Sequence, residues 1–284
     1  MKSPTILLVD NGSSSAEATL NLRRLASALS IQADLPIHPV SLQHAEKIPC
    51  ELLDGIPADT FTPFMKQRLA LGEREFLLLP LFFGPSRALS AFIPDQVKKL
   101  QSQYGHFILC QTPALCPLPA GEPLLAKILC DQLATVSKGN PLTRVILVDH
   151  GSPMPEVTAV RTYLAEEMQK RLGAEVKLQQ AVMERREGTA YDFNGELLEG
   201  ALNQAAATDK KIPIYLSLLF LSPGRHAGSG GDIESICEAA RQRHSGLPIF
   251  TSPLVGEHPE LLDIFHNRLL AALKSPENIV HISG

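Results

Sequence analysis

The chain has 284 residues, 44% of them hydrophobic and 20% charged, with a net charge of −4; these are ordinary globular values with ample material for a core. That length suits one large or two ordinary domains, and the mild acidity gives no reason to expect nucleic acid while still allowing a local basic site for an acidic ligand. The five cysteines are odd in number and show no CxxC spacing, a poor disulfide framework that makes a reducing compartment the expectation.

Met1 to Pro4 runs straight into the strand-like Thr5-Ile6-Leu7-Leu8-Val9, which leaves no room for a signal peptide. No apolar run approaches the about 18 residues needed to span a bilayer, so a cytoplasmic protein with no membrane partner is expected. Strands are predicted near 5–10, 36–42, 75–83 and 106–111, alternating with helices near 14–30, 59–71, 91–103 and 121–136. The turn formers of Val136-Ser137-Lys138-Gly139-Asn140-Pro141 make the best linker. Beyond it come strands near 143–149, 175–183, 212–220 and 247–252, with helices near 153–173, 191–208, 230–244 and 258–273. Such alternation predicts parallel sheets covered on both faces by helices, with right-handed crossovers. The expected architecture is α/β: two tandem domains, 1–140 and 141–284, each built on a four-stranded parallel sheet.

The two halves repeat one another. Val9-Asp10-Asn11-Gly12-Ser13 returns as Val148-Asp149-His150-Gly151-Ser152, and Leu81-Phe82 with Pro85-Ser86-Arg87-Ala88 returns as Leu219-Phe220 with Pro223-Gly224-Arg225-His226, both at an offset of about 139 residues. Phe107 to Leu115 likewise lines up with Leu247 to Leu254. In open α/β sheets ligands bind outside the carboxyl ends of the strands. His150, Glu184 and His226 each follow one strand of the second half, whereas Asn11, Gln43 and Ala88 hold the matching places in the first. The chemistry is therefore assigned to the second half.

Each motif also has an ordinary structural explanation. Gly151 suits a tight strand-to-helix turn, Ser152 a helix cap and Pro153 a first helical position, yet this leaves His150 unexplained. The loop Ser222 to Asp232 could cradle phosphate through helix N-terminal amides. No Gly-x-x-x-x-Gly-Lys-Ser/Thr occurs, however, and the loop follows the third strand of its half rather than the first, so a nucleotide enzyme is weakly supported. Glu184 taken alone is simply a polar residue after a buried strand, and His226 a solvent-facing loop residue. Together, two imidazoles and a carboxylate suit a borderline divalent metal with open positions, or proton acceptance near neutral pH; the residues do not separate these roles. Arg87 and Arg225 hold equivalent loop positions in the two halves. They are either solvated or fork-like donors for ligand carboxylates, to which Arg161, Arg185 and Arg186 could add. The other seven histidines lack comparable pairing and are taken as structural or surface groups.

The second half resembles the class II tetrapyrrole chelatases of the sirohydrochlorin cobalto-/ferrochelatase type, in their long two-domain form. The resemblance is carried by Leu147 to Ser152, by Ala181-Val182-Met183-Glu184, by Leu218 to Leu221 through Gly224-Arg225-His226 with Asp232-Ile233, and by Ser252 to Gly256 with Pro259 to Leu262. It implies two chelatase-like domains facing each other across a cleft, and ATP-independent insertion of Co2+ or Fe2+, with Ni2+ also fitting, into sirohydrochlorin or a related tetrapyrrole of siroheme and cobalamin biosynthesis. By residue match, His150, Glu184 and His226 would bind the metal and accept pyrrole protons, while Arg87, Arg225 and Ser152 would contact the substrate. The implied partner is a tetrapyrrole bearing several carboxylates, with no cofactor beyond the metal substrate. A carrier of the same fold without turnover is the alternative, motivated by the altered first half. A monomer is expected, because internal duplication replaces a two-fold interface.

Overall fold

The computed structural model describes residues 4–275 and 279–282, so Met1, Lys2 and Ser3 of the N-terminal run lie outside the described residues. The first half forms strands β1 (Thr5–Asp10), β2 (Ile37–Ser41), β3 (Glu75–Pro80) and β4 (Ile108–Gln111), with helices α1 (Ala16–Ala33), α2 (Phe61–Ala70), α3 (Ile93–Tyr104) and α4 (Pro123–Ser137). The second half repeats the series as β5 (Arg144–Asp149), α5 (Pro155–Leu172), β6 (Lys177–Val182), α6 (Leu198–Thr208), β7 (Ile214–Leu218), α7 (Asp232–Arg243), β8 (Ile249–Thr251) and α8 (Leu261–Lys274), followed by a short β9 (Val280–His281).

The described residues build two sheets, ordered β2-β1-β3-β4-β9 and β6-β5-β7-β8. All pairings are parallel except β4 with β9. The central strands β1 and β5 are near-continuous apolar runs because both faces are covered: Ile6 to Val9 and Val145 to Val148 are all buried. On one face of the second sheet, Ile146, Val148, Leu216 and Leu218 pack against Leu198 and Leu202 of α6 and Ile233 and Cys237 of α7.

Two features depart from the sequence expectation. The first sheet has five strands rather than four, because Val280 and His281 pair antiparallel with Gln111 and Cys110. The compact units also do not follow a division at residue 140: one contains 1–117 and 262–284, the other 118–261. Helix α4 belongs with the second sheet, where it packs on α5, β7 and β8. Its Lys127 ammonium lies 2.8 Å from Glu260 Oε1, and its Gln132 side chain donates to the Leu254 carbonyl. Helix α8 belongs with the first unit, where Arg268 donates to the Leu115 carbonyl at 2.8 Å and Asp263 accepts from Gln32 at 3.0 Å. An amphipathic helix gains the same apolar burial on either sheet, so its periodicity does not choose between them. None of the five cysteines forms a disulfide. Among the described residues, no helix is long and apolar enough to cross a membrane.

Candidate functional site

Strands β6, β5 and β7 are neighbours in the second sheet, and the residues just beyond their carboxyl ends meet. Past the end of β5, the ladder to β6 continues for two bonds: Met183 N donates to Asp149 O at 2.8 Å and Glu184 N to His150 O at 3.1 Å. Between them Gly151 adopts φ +91°, and a Cβ placed there would collide with the Glu184 carbonyl oxygen. Only glycine lets the two loops approach this closely. The first unit repeats the device with Gly12 at φ +83° against the Gln43 carbonyl, so the scaffold is common to both units while the side chains differ.

His226 arrives on the loop between β7 and α7. Asp232 N donates to Arg225 O and Ile233 N to His226 O, turning the loop carbonyls onto the first amides of α7. Those amides are thereby occupied, which removes the phosphate cradle that the glycine-rich composition suggested. Gly231 is needed for this turn, since a Cβ there would lie 2.8–2.9 Å from the Arg225, His226 and Gly228 carbonyl oxygens.

The side chains converge at one point. His150 Nε2 and His226 Nε2 are 3.2 Å apart, with the rings edge to face at 76°. Glu184 Oε1 is 3.4 Å from His150 Nε2. The other ring nitrogens both face acceptors: His226 Nδ1 lies 2.6 Å from Asp232 Oδ2, and His150 Nδ1 lies 3.1 Å from the Gly151 carbonyl. Each neutral ring is therefore assigned its proton on Nδ1, which leaves the lone pair on Nε2. Two imidazole lone pairs and a carboxylate oxygen then face one another with no donor among them, an arrangement that a proton or a metal ion satisfies. Two nitrogens each bound at the usual 2.0–2.1 Å to one ion would stand about 3.0–3.4 Å apart, and the observed spacing falls in that range. Among the described residues no three His, Cys, Asp or Glu side chains form a ready metal cage. Glu184 is the most open of the three converging groups, with 64% of its side chain exposed. The two imidazoles are also partly open to solvent, at 44% and 32%.

The remaining sequence candidates are placed as follows. Ser152 does not cap the helix as expected: α5 starts at Pro155 with Met154 as its cap, and Ser152 Oγ accepts from the Met154 amide at 3.1 Å. The stretch from His150 to Met154 is non-helical, with a bend at Pro153, and Pro155 rather than Pro153 supplies the preset helical φ. Arg225 is 84% exposed, with its Nε 3.9 Å from Asp232 Oδ2, and Arg87 is exposed at the equivalent position of its own unit, where the chain is not a loop but the start of a helical turn, Ala88–Phe92. Arg186 lies over the Tyr191 ring at 5.7 Å, and Arg185 donates to the Gly195 carbonyl at 3.0 Å. Arg161 cannot serve as a ligand donor, because it is 2% exposed and bonded inside the protein. The role of Asp232 as orienter of His226 was not read from the sequence, although a carboxylate six residues beyond a histidine across a glycine-rich loop was the available signal.

This fold, two parallel α/β units in tandem, is that of the class II chelatases. Residues 144–272 match the CbiX family model. Among solved structures, SirB from Bacillus subtilis with Fe3+ superposes with a TM-score of 0.72 at 17% identity, covering 97% of this chain and 98% of that one. SirB from Bacillus subtilis subspecies spizizenii in complex with cobalt gives 0.66 at 16% identity, covering 97% of each chain. CbiX, described as the terminal enzyme for siroheme biosynthesis in denitrifying bacteria, gives 0.59 at 17% identity over 94% of this chain and 99% of that one. At these identities the likeness is one of fold. No curated protein matches the sequence.

Proposed function

We propose that this protein inserts Co2+ or Fe2+ into sirohydrochlorin or a closely related tetrapyrrole, without ATP, and that His150, Glu184 and His226 carry the reaction. The supporting observation is the convergence of three acceptor atoms, His150 Nε2, His226 Nε2 and Glu184 Oε1, at the strand ends of the segment that matches the CbiX family model. Insertion requires a divalent ion to lose water and two pyrrole N–H protons to leave. Neutral imidazoles hold such an ion through Nε2, and Glu184 adds charge that eases its loss of water. As the ion passes to the ring nitrogens, the freed imidazole lone pairs accept the two pyrrole protons and release them to solvent, so that M2+ and the free ring become the metallated ring and two protons. Nitrogen and oxygen donors accept Fe, Co and Ni alike, and metal choice follows the supply of the ion as much as the site.

The exposed Arg225 is assigned to a substrate carboxylate through its planar fork of donors. Arg87, exposed on its own unit, is a second such candidate. Ser152 keeps its hydroxyl hydrogen for a third contact, because Oγ uses only an acceptor site on Met154 N.

The deciding experiment follows the absorbance of sirohydrochlorin mixed anaerobically with Co2+ or Fe2+, against the spontaneous rate. The wild type should accelerate metallation, and His150→Ala or His226→Ala should return it to near the spontaneous rate with folding intact. Arg225→Ala and Arg87→Ala should raise KM more than they lower kcat. Tetrapyrrole binding without acceleration by any of these metals would replace the enzyme with a carrier of the same fold.

A further inference from the structure

A buried polar network lies beneath the His150 loop. Arg161, on α5, donates from Nη1 to Asp149 Oδ1 at 2.6 Å, from Nη2 to the Asn194 carbonyl at 2.6 Å and from Nε to Gln180 Oε1 at 3.2 Å. Asn194, 1% exposed, grips the Ser152 backbone on both sides: its Nδ2 donates to Ser152 O at 2.8 Å and its Oδ1 accepts from Ser152 N at 3.0 Å. The Gly151 amide donates to Asp149 Oδ1 at 3.2 Å. The residues on both sides of His150 are thus tied to two side chains that solvent does not reach.

The first unit shows that the fold does not require this network. Helices α1 and α5 begin 139 residues apart, as do β1 and β5, which places Leu22 where the second unit has Arg161. Leu22 is buried at 1%, and Asp10, the counterpart of Asp149, has an Oδ1 with no hydrogen-bond partner. The same strand, turn and helix therefore close around an apolar residue. A buried ion pair is about neutral for stability against a well-packed apolar pair, so stability alone does not account for its presence in one unit. It accompanies the unit that bears His150, Glu184 and His226. The Asn194 segment also lies between Glu184 and α6, so one network joins the His150 loop to the segment that follows Glu184.

We infer that Arg161 and Asn194 are positioning residues that hold the His150-Gly151-Ser152 backbone so that His150 Nε2 meets His226 Nε2 and Glu184. The inference rests on the proposed chelatase site and adds to it the side chains that preorganise it.

The test compares wild type with Asn194→Ala, Arg161→Lys and the double variant Arg161→Leu/Asp149→Asn, which leaves no buried charge at the pair and places at 161 the residue type that the first unit has at Leu22. Folding is checked by thermal melting. Imidazole 15N spectra report the His150 tautomer in the protein alone, titration with Co2+ alone reports metal affinity, and the metallation assay separates kcat from KM. In folded variants the His150 signal should shift from a fixed Nδ1–H tautomer towards an averaged one. Co2+ affinity and kcat should each fall about 10–100-fold, while KM for the tetrapyrrole changes less than kcat does. Arg161→Lys should be intermediate, since an ammonium can reach Asp149 but cannot fork to Asn194 as well. Folded variants that keep the wild-type His150 signal, Co2+ affinity and kcat would overturn the inference. A wild type that never metallates would overturn the chelatase reading instead, and a changed His150 signal in the variants would still support positioning.

Discussion

Asp10 and Asp149 end equivalent strands, and burial raises both carboxyls. At Asp149 the Arg161 guanidinium, 2.6 Å away, works against that rise, whereas Asp10 is pushed up to about 6, only partly offset by the Ser41 hydroxyl and the Gly12 amide. A carboxyl whose native pKa exceeds its unfolded value of 3.8 holds its proton more tightly in the folded state. Its contribution is therefore intact below about pH 4 and is lost as pH rises from there through about 6. At about 1.4 kcal/mol per unit, the cost at pH 7 is on the order of 3 kcal/mol. Asp10→Asn removes that linkage and should stabilise the protein by about 1–3 kcal/mol at pH 7 to 8, with a gain that vanishes near pH 4. Chemical denaturation of both proteins across that range checks this, and a difference independent of pH would refute the assignment. At this scale the sequence exposed the histidine pair and Glu184, because the repeat sets each against Asn11, Ala88 or Gln43. It misplaced Arg161 as a ligand donor, although Leu22 at the repeat position already marked the site as buried.

Between strand and helix, the decisive elements are the glycine turns. Gly12 and Gly151 share a positive φ and a close approach to a neighbouring carbonyl, and alanine at either meets both strain and collision. Gly12→Ala and Gly151→Ala should each destabilise the protein by about 1–3 kcal/mol, seen as similar drops in melting temperature. Only Gly151 stands between His150 and Glu184, so Gly151→Ala should in addition abolish metallation in the protein that remains folded. Equal loss of activity in both variants would show that the effect reflects stability alone. Periodicity and the Gly-Ser signature made these turns legible in the sequence. The start of α5 was not, because Ser152, Pro153 and Pro155 all satisfy helix-start rules, and Asn194, 42 residues from Ser152, excludes the first two by gripping the Ser152 backbone.

For the whole molecule, α4 and α8 each complete a unit other than the one a division at residue 140 would give them. A fragment of residues 141–284 lacks α4 and leaves its side of β7 and β8 uncovered, so it should be molten or aggregated. A fragment of 118–261 should show a cooperative thermal transition, since α4 retains its packing and its ties to Leu254 and Glu260. A cooperative transition of 141–284 alone would contradict this assignment of α4.

The sequence by itself determined the α/β class, the duplication, the strand-helix order to within a few residues and the half that carries the histidines. Those features are written in local periodicity and in the comparison of one half with the other. Tertiary structure alone decided which sheet each amphipathic helix covers, that β9 joins the first sheet, and that Arg161, Asn194 and Asp232 serve the His150 and His226 loops. Burial of an apolar face is non-directional and satisfied equally on either sheet, and a hydrogen bond between residues far apart in the chain leaves no periodic mark in it.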